Sequence, residues 1–285
     1  MRVFILTLLA MIAFAGNSLL CRQALKRTTI DAASFTFIRI LSGAVVLSLV
    51  VMLRKRTRLK TGNWASALAL FAYAAAFSFA YISLSAGTGA LLLFGAVQAT
   101  MIIWGLSHGE RLRTRQWLGL ALAVAGLVAL LFPGLSAPPI NAALLMLCAG
   151  IAWGFYSLRG KGAGDPVTTT AGNFLRAVVF ASLLSIALLP WASLDRAGVG
   201  YAALSGAIAS GVGYVIWYSA LPGLKAASAA TVQLSVPVLA AAGGILFLGE
   251  LITLRFLLAS IALLGGIALV VIEKTRAVPP DKISY

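Results

Sequence analysis

Ten apolar stretches, each long enough to cross about 30 Å of hydrocarbon, follow one another along this chain with only short connections between them. They run from Val3 to Leu20, Ala32 to Leu53, Trp64 to Leu84, Thr88 to Ser107 and Gln116 to Phe132, then from Ile140 to Leu158, Thr169 to Pro190, Gly198 to Ala220, Ala226 to Leu248 and Leu254 to Ile272. The joints carry the residues that end helices: Pro133-Gly134, Pro138-Pro139, Asp165-Pro166 and Pro222-Gly223. No soluble domain fits between them. Only 10% of the residues are charged and 61% are hydrophobic, where a soluble domain carries roughly 25% charge, so lipid is the expected solvent. The predicted fold class is an all-α integral membrane protein.

The net charge of +15 invites a nucleic-acid reading. The basic residues, however, lie in short runs between apolar stretches, which is the positive-inside pattern. With a cytoplasmic N-terminus, fifteen of the 22 Lys and Arg residues fall on the cytoplasmic side, five (Arg22, Lys26, Arg27, Arg196 and Arg255) fall opposite, and Arg39 and Arg176 lie within spans. Both termini are expected in the cytoplasm, with the lipid bilayer and no nucleic acid as partner. Met1-Arg2, the following apolar run and Ala13-x-Ala15 mimic a signal peptide, but the hydrophobicity continues through Leu20 and the stretch is read as the first span. Cys21 and Cys148 have no metal-ligand spacing and are read as packing residues, not as a disulfide.

The chain repeats itself. Gly109-Glu110 recurs as Gly249-Glu250, Phe37-Ile38-Arg39 as Phe174-Leu175-Arg176, and the segment from Ala13 to Leu19 resembles that from Ala152 to Leu158. Each half holds an odd number of spans, so the second enters the membrane from the opposite side. The expected units are two inverted five-helix repeats, residues 1–134 and 138–274, followed by a cytoplasmic tail at 275–285. Inverted repeats are the architecture of secondary transporters, whose site lies near the midplane between the halves.

A Gly-Glu after the fourth helix of each half, glycines at 119, 126, 265 and 266 in the fifth helices, Arg39, Arg176, Pro237 and the segments Tyr81 to Ala86 and Tyr214 to Ala220 resemble the drug/metabolite transporter superfamily, in its EamA group. The stretch from Ser85 to Leu91 with Phe94 to Gln98 is similar to the amino-acid-exporting members, including the aromatic amino acid exporters. Val97 stands where the second half has Pro237, so a milder break is expected in span four. The resemblance implies export of small metabolites, amino acids above all, across a bacterial inner membrane, through a cavity lined by spans one, three, four, six, eight and nine. It requires no cofactor.

All seven acidic residues lie at span ends or in loops, and His108, the lone histidine, ends span four. This argues against a deep proton or sodium site and against an intramembrane hydrolase, since no Ser, Cys or Thr in the spans has a partner base. No metal set is expected. Polar and amphipathic residues inside spans face the protein interior, where they are satisfied. Asn17, Tyr81, Gln98, Trp153, Tyr156, Tyr214, Trp217, Tyr218 and Gln233 are therefore the substrate-binding candidates: amides and hydroxyls for a zwitterion, aromatic faces for its side chain. The competing reading is interhelical packing for Asn17 and the glutamines, and interfacial anchoring for Tyr156, Tyr218 and Trp64.

Arg39 and Arg176 would attract a substrate carboxylate, cap helices or bind lipid phosphate; their matching placement favours a scaffold role. Glu110 and Glu250 are expected to accept from helix N-termini or pair with arginines, again as scaffold. With Pro237 these form the structural or gating set. Small residues such as Gly150, Gly154, Gly206, Ser210 and Gly211 permit close helix approach or sliding. The leading reading is an amino acid exporter with a small-molecule substrate, for which a monomer suffices; the rivals are a lipid-flux protein, an exporter of other amphiphiles or drugs, and a membrane-embedded transferase.

Green fluorescent protein fused after Tyr285 is expected to fluoresce in cells and alkaline phosphatase at the same place to be inactive. An active phosphatase there would reverse the orientation.

Overall fold

A computed structural model of the chain describes residues 1–54, 61–134, 136–160, 164–224 and 226–276. Among these residues ten helices are long and apolar enough to span a bilayer. They are α1 (Arg2–Arg27), α2 (Ala32–Leu53), α3 (Trp64–Tyr81), α4 (Ala86–Ser107), α5 (Thr114–Leu131), α6 (Ile140–Arg159), α7 (Pro166–Ala187), α8 (Arg196–Gly223), α9 (Ser228–Leu248) and α10 (Leu254–Arg276). Several of them start at short polar side chains that accept from otherwise unpartnered amides of the first turn. Asp31 accepts from Ala33 and Ser34, Asn63 from Ser66, Ser85 from Thr88, Asp165 from Thr168 and Asp195 from Gly198. Three of the seven acids are thereby accounted for as caps.

The repeated Gly-Glu pair has one geometry in both halves. Gly109 and Gly249 take left-handed backbone, at φ 87° and 64°, and end α4 and α9. The next amide donates back into the helix, Glu110 to the Gly105 carbonyl and Glu250 to that of Gly244, each at 3.0 Å. Each carboxylate then folds over that same glycine, where a Cβ would collide with it.

The packing follows the repeat. α2 lies on α7, α4 on α9 and α5 on α10; α1 packs on α8 as α6 packs on α3, and α1 on α9 as α6 on α4. These main contacts come in matched sets, which is the pattern of two repeats related by a two-fold axis. Small residues bring the backbones together, as when the Gly119 Cα on α5 faces the Gly266 carbonyl on α10, or that of Gly150 on α6 faces Leu93 and Ala96 on α4. Large apolar residues such as Leu118, Leu122, Val128, Leu183, Ile186 and Leu258 point outward, as a lipid-facing surface requires.

Several helices differ from the expected spans. α1 continues to Arg27, beyond the apolar window that ends at Leu20, because Arg22 is satisfied inside the fold (below) and so does not end the helix. α8 contains a wide π-helical segment, Ser205–Val212, built from small residues. α9 is interrupted at Leu234, where Pro237 supplies no amide for the Gln233 carbonyl, while α4 with Val97 runs unbroken. α10 extends to Arg276, and the expected tail from 277 to 285 lies outside the described residues. So do Lys55, Arg56, Arg58, Lys60, Lys161, Lys225 and Lys282 of the charge pattern.

At Gly206 a Cβ would collide with the Arg39 carbonyl and Ser42 on α2, whereas Gly265 has open space around it. Gly206→Ala is expected to lose about 1–3 kcal/mol and Gly265→Ala to be neutral or slightly stabilising, read from thermal unfolding in detergent. Equal melting temperatures for the two variants would sink this account of the α2–α8 contact.

Candidate functional site

Aromatic residues occur on α3 at spacings of four, Tyr73, Phe77 and Tyr81, which puts them on one helix face. They form the start of a ladder that crosses between the halves. Tyr81 meets Phe77 edge-on at 4.7 Å between centroids, Phe77 meets Tyr73 at 5.5 Å, and Tyr73 meets Trp153 on α6 at 4.8 Å. Trp153 stacks on Tyr156 at 5.2 Å and on Tyr214 of α8 at 5.5 Å; Tyr214 stacks on Tyr218 at 6.1 Å. Phe14 of α1 touches both Tyr214 and Trp217. Five of the nine predicted residues, Trp153, Tyr156, Tyr214, Trp217 and Tyr218, thus share one cluster where α1, α3, α6 and α8 meet. Offset and tilted rings within 7 Å attract each other and offer flat, apolar faces with hydroxyl edges.

The ladder ends in hydrogen bonds. Tyr156 and Tyr218 converge on Thr170 of α7, at 3.4 and 3.2 Å, and the Asn173 amide donates to the Tyr156 hydroxyl at 3.4 Å. The Asn173 carbonyl oxygen in turn accepts from the Asn63 amide at the start of α3. Through Asn63 this knot joins the two halves on the side of the bundle where α1 and α3 begin and α8 ends.

The opposite side is joined by charge. The Arg22 guanidinium on α1 donates to Glu250 at 3.2 Å and to the carbonyls of Tyr81 and Ile82 at 2.9 and 2.8 Å. The second Glu250 oxygen accepts from the Ala86 amide, at the N-terminus of α4, at 2.8 Å. Both side chains are about nine-tenths buried. Tyr81 belongs to this plug rather than to the central cluster: its hydroxyl donates to the Ala86 carbonyl and its ring covers Gly89. Arg27 adds a bond to the Leu248 carbonyl.

The remaining predicted residues are dispersed. Asn17 links α1 to the π segment of α8, accepting from Ser205 at 2.7 Å and donating to Ser210 at 3.2 Å. Gln98 is buried and Gln233 half-buried, and neither side chain has a hydrogen-bond partner among the described residues. Glu110 is exposed beside Gly105. Pro237 is buried just past the α9 break. Arg176 donates to the carbonyls of Thr61 and Gly172 and lies 6.0 Å from the Trp64 ring. Arg39 is enclosed by Tyr73 and Phe77. His108 caps the end of α4, stacked on Trp104.

Tyr73, Phe77, Phe14, Thr170 and Asn173 were absent from the sequence-based set. The four-residue spacing on α3 was a visible signal. Thr170 and Asn173 carried none, since their partners come from other helices. No group of three or more His, Cys, Asp or Glu able to hold a metal occurs among the described residues. Cys21 is buried and Cys148 exposed, both unpaired.

The sequence profile of the EamA-like transporter family matches residues 1–132 and again 140–272, one match to each half. The chain is 59% identical over 270 residues to an uncharacterized protein of Pseudomonas aeruginosa, covering 94% of each. It is 34% identical over 154 residues to the threonine/homoserine exporter RhtA of Escherichia coli, 51% of this chain and 50% of that one. A solved crystal structure superposes with a TM-score of 0.68 at 16% identity, over 96% of this chain and 98% of the other, a likeness of fold.

Removing one partner of a buried ion pair leaves the other charge uncompensated, at a cost of about 3–5 kcal/mol. Glu250→Leu and Arg22→Met should each lower the melting temperature in detergent, and the double variant Arg22→Met/Glu250→Leu should lose less than the sum of the two. Additive losses in the double variant would mean that the two residues do not act as a pair.

Proposed function

Because the chain belongs to the EamA-like transporter family, we propose that it exports small amphiphilic metabolites, amino acids including aromatic ones foremost, across the bacterial inner membrane by alternating access between its two halves. The observation that carries this reading is the aromatic cluster of Trp153, Tyr156, Tyr214, Trp217 and Tyr218 with Tyr73, built from helices of both halves. Rings with hydroxyl edges suit the side chain and ammonium of an amino acid. The half-length likeness to an exporter of threonine and homoserine supports the same substrate class. Both termini face the cytoplasm in this reading, and one copy of the chain suffices.

Alternating access follows from where the halves are tied. The Arg22–Glu250 plug closes one side and the Asn63–Asn173 hydrogen bond of the knot ties the other. Breaking one set while keeping the other would expose the cluster to one side of the membrane at a time. The π segment of α8 and the break in α9 are the places where the second half bends at least cost.

A lipid-flux role has one observation in its favour: an apolar cleft of about 430 Å³ between α3 and α6, lined by Leu68, Ala72, Ile151 and Phe155 with Arg159 at its edge. It predicts stimulation by anionic phospholipid and movement of labelled lipid.

The deciding experiment is uptake of radiolabelled threonine, homoserine, phenylalanine and tryptophan into proteoliposomes. Wild-type protein should move at least one of them faster than empty liposomes, and Trp153→Ala or Tyr214→Ala should reduce that rate on the order of tenfold. If lipid moves and no amino acid does, the flux reading replaces this one.

A further inference from the structure

Among the described residues three arginines lie inside the bundle, and two of them are satisfied by carboxylate or carbonyl oxygens. Arg22 has Glu250 and two carbonyls; Arg176 has the carbonyls of Thr61 and Gly172. Arg39 has neither. It is 2% exposed, and its guanidinium stands 4.7 Å from the Phe77 ring centroid and 5.2 Å from that of Tyr73. Nη2 donates to the Tyr73 hydroxyl at 2.8 Å, and Nη1 has no acceptor at all. No Asp or Glu pairs with it among the described residues.

This is a costly arrangement unless something completes it. A guanidinium stays charged at any physiological pH, and aromatic faces with one phenol recover only part of its lost hydration. What is missing is an anionic acceptor for the open nitrogen. Arg39 lies seven residues into α2, about 10 Å along its axis, well inside the bundle. Of the two rings over it, Tyr73 is the one that meets Trp153 of the other half. A ligand held on Trp153 and Tyr214 would therefore have its polar end beside the cation.

We infer that Arg39 is the anchor for the carboxylate of the transported molecule, so that the ligand class is a small carboxylate with an apolar or aromatic body. The two carboxylate oxygens match the guanidinium fork, taking Nη1 and displacing the single Tyr73 hydroxyl from Nη2. Arg176, at the equivalent place in the second half, is spent on backbone carbonyls and has a scaffold role. The site is therefore one per chain, although the repeat supplies two arginines. This inference rests on the transporter reading, and goes beyond it in naming the recognised group.

The test titrates purified protein, by tryptophan fluorescence, with L-phenylalanine, 3-phenyllactate, L-phenylalaninamide and 2-phenylethylamine, and repeats the titration on Arg39→Met and Arg39→Lys. Wild-type protein should bind the two carboxylates about tenfold or more tighter than the amide and the amine. Arg39→Met should lose that preference. Arg39→Lys, which keeps a charge and serves if the methionine variant does not fold, should reduce it several-fold, since an ammonium lacks the fork. A scaffold residue would shift stability and leave the preference between carboxylate and carboxamide unchanged. Equal binding of carboxylate and amide by wild-type protein, or a preference that survives in Arg39→Lys undiminished, would falsify the inference. Arg39-dependent binding of phenyllactate without any amino acid transport would leave it standing and remove only the amino acid reading; amino acid transport indifferent to Arg39 would do the reverse.

Discussion

Inside hydrocarbon there is no water to satisfy a polar group, so each one in a spanning helix must find its partner within the protein. Nearly every local choice in this fold follows from that constraint. Asp31, Asn63, Ser85, Asp165 and Asp195 close helix starts. Glu250 serves two donors at once, the Arg22 guanidinium and the Ala86 amide, and thereby links α1, α4 and the end of α9. Asn17 is shared by two serines of one π segment. Against that thrift the open nitrogen of Arg39 and the unpartnered amides of Gln98 and Gln233 stand out.

Packing between apolar helices has no hydrophobic driving force in lipid, and shape takes its place. Glycines let α5 meet α10, α4 meet α6 and α2 meet α8 at backbone distance. The two halves use the same contacts but are not equally regular. Where α3 is a plain helix, α8 carries a π segment; where α4 runs through Val97, α9 breaks before Pro237. The second half holds the irregular helices and the first half the two most buried arginines, Arg22 and Arg39.

Several features were legible in the chain before any coordinates. The Gly-Glu pairs pointed to matched helix ends because a left-handed glycine and a back-folded carboxylate are local events within six residues. Pro237 pointed to a broken α9 because its missing amide is a property of one residue. The aromatic cluster was half legible: Trp153, Tyr156 and Tyr214 stand out in spans, while Thr170 and Asn173 look like any polar residues near a helix start. The full length of α1 was not legible, because Arg22 reads as the end of an apolar stretch until Glu250, more than two hundred residues away, is seen beside it.

Sequence by itself determined the membrane class, the ten spans and the two-fold repeat, because hydrophobicity and helix punctuation are written residue by residue. Tertiary structure alone decided the fate of the paired arginines. Arg39 and Arg176 occupy matching positions in matching motifs, yet carbonyls at Thr61 and Gly172 satisfy one and aromatic rings enclose the other. A charge in a helix is fixed by its own sequence; its counterpart arrives from another helix, and only the fold brings it.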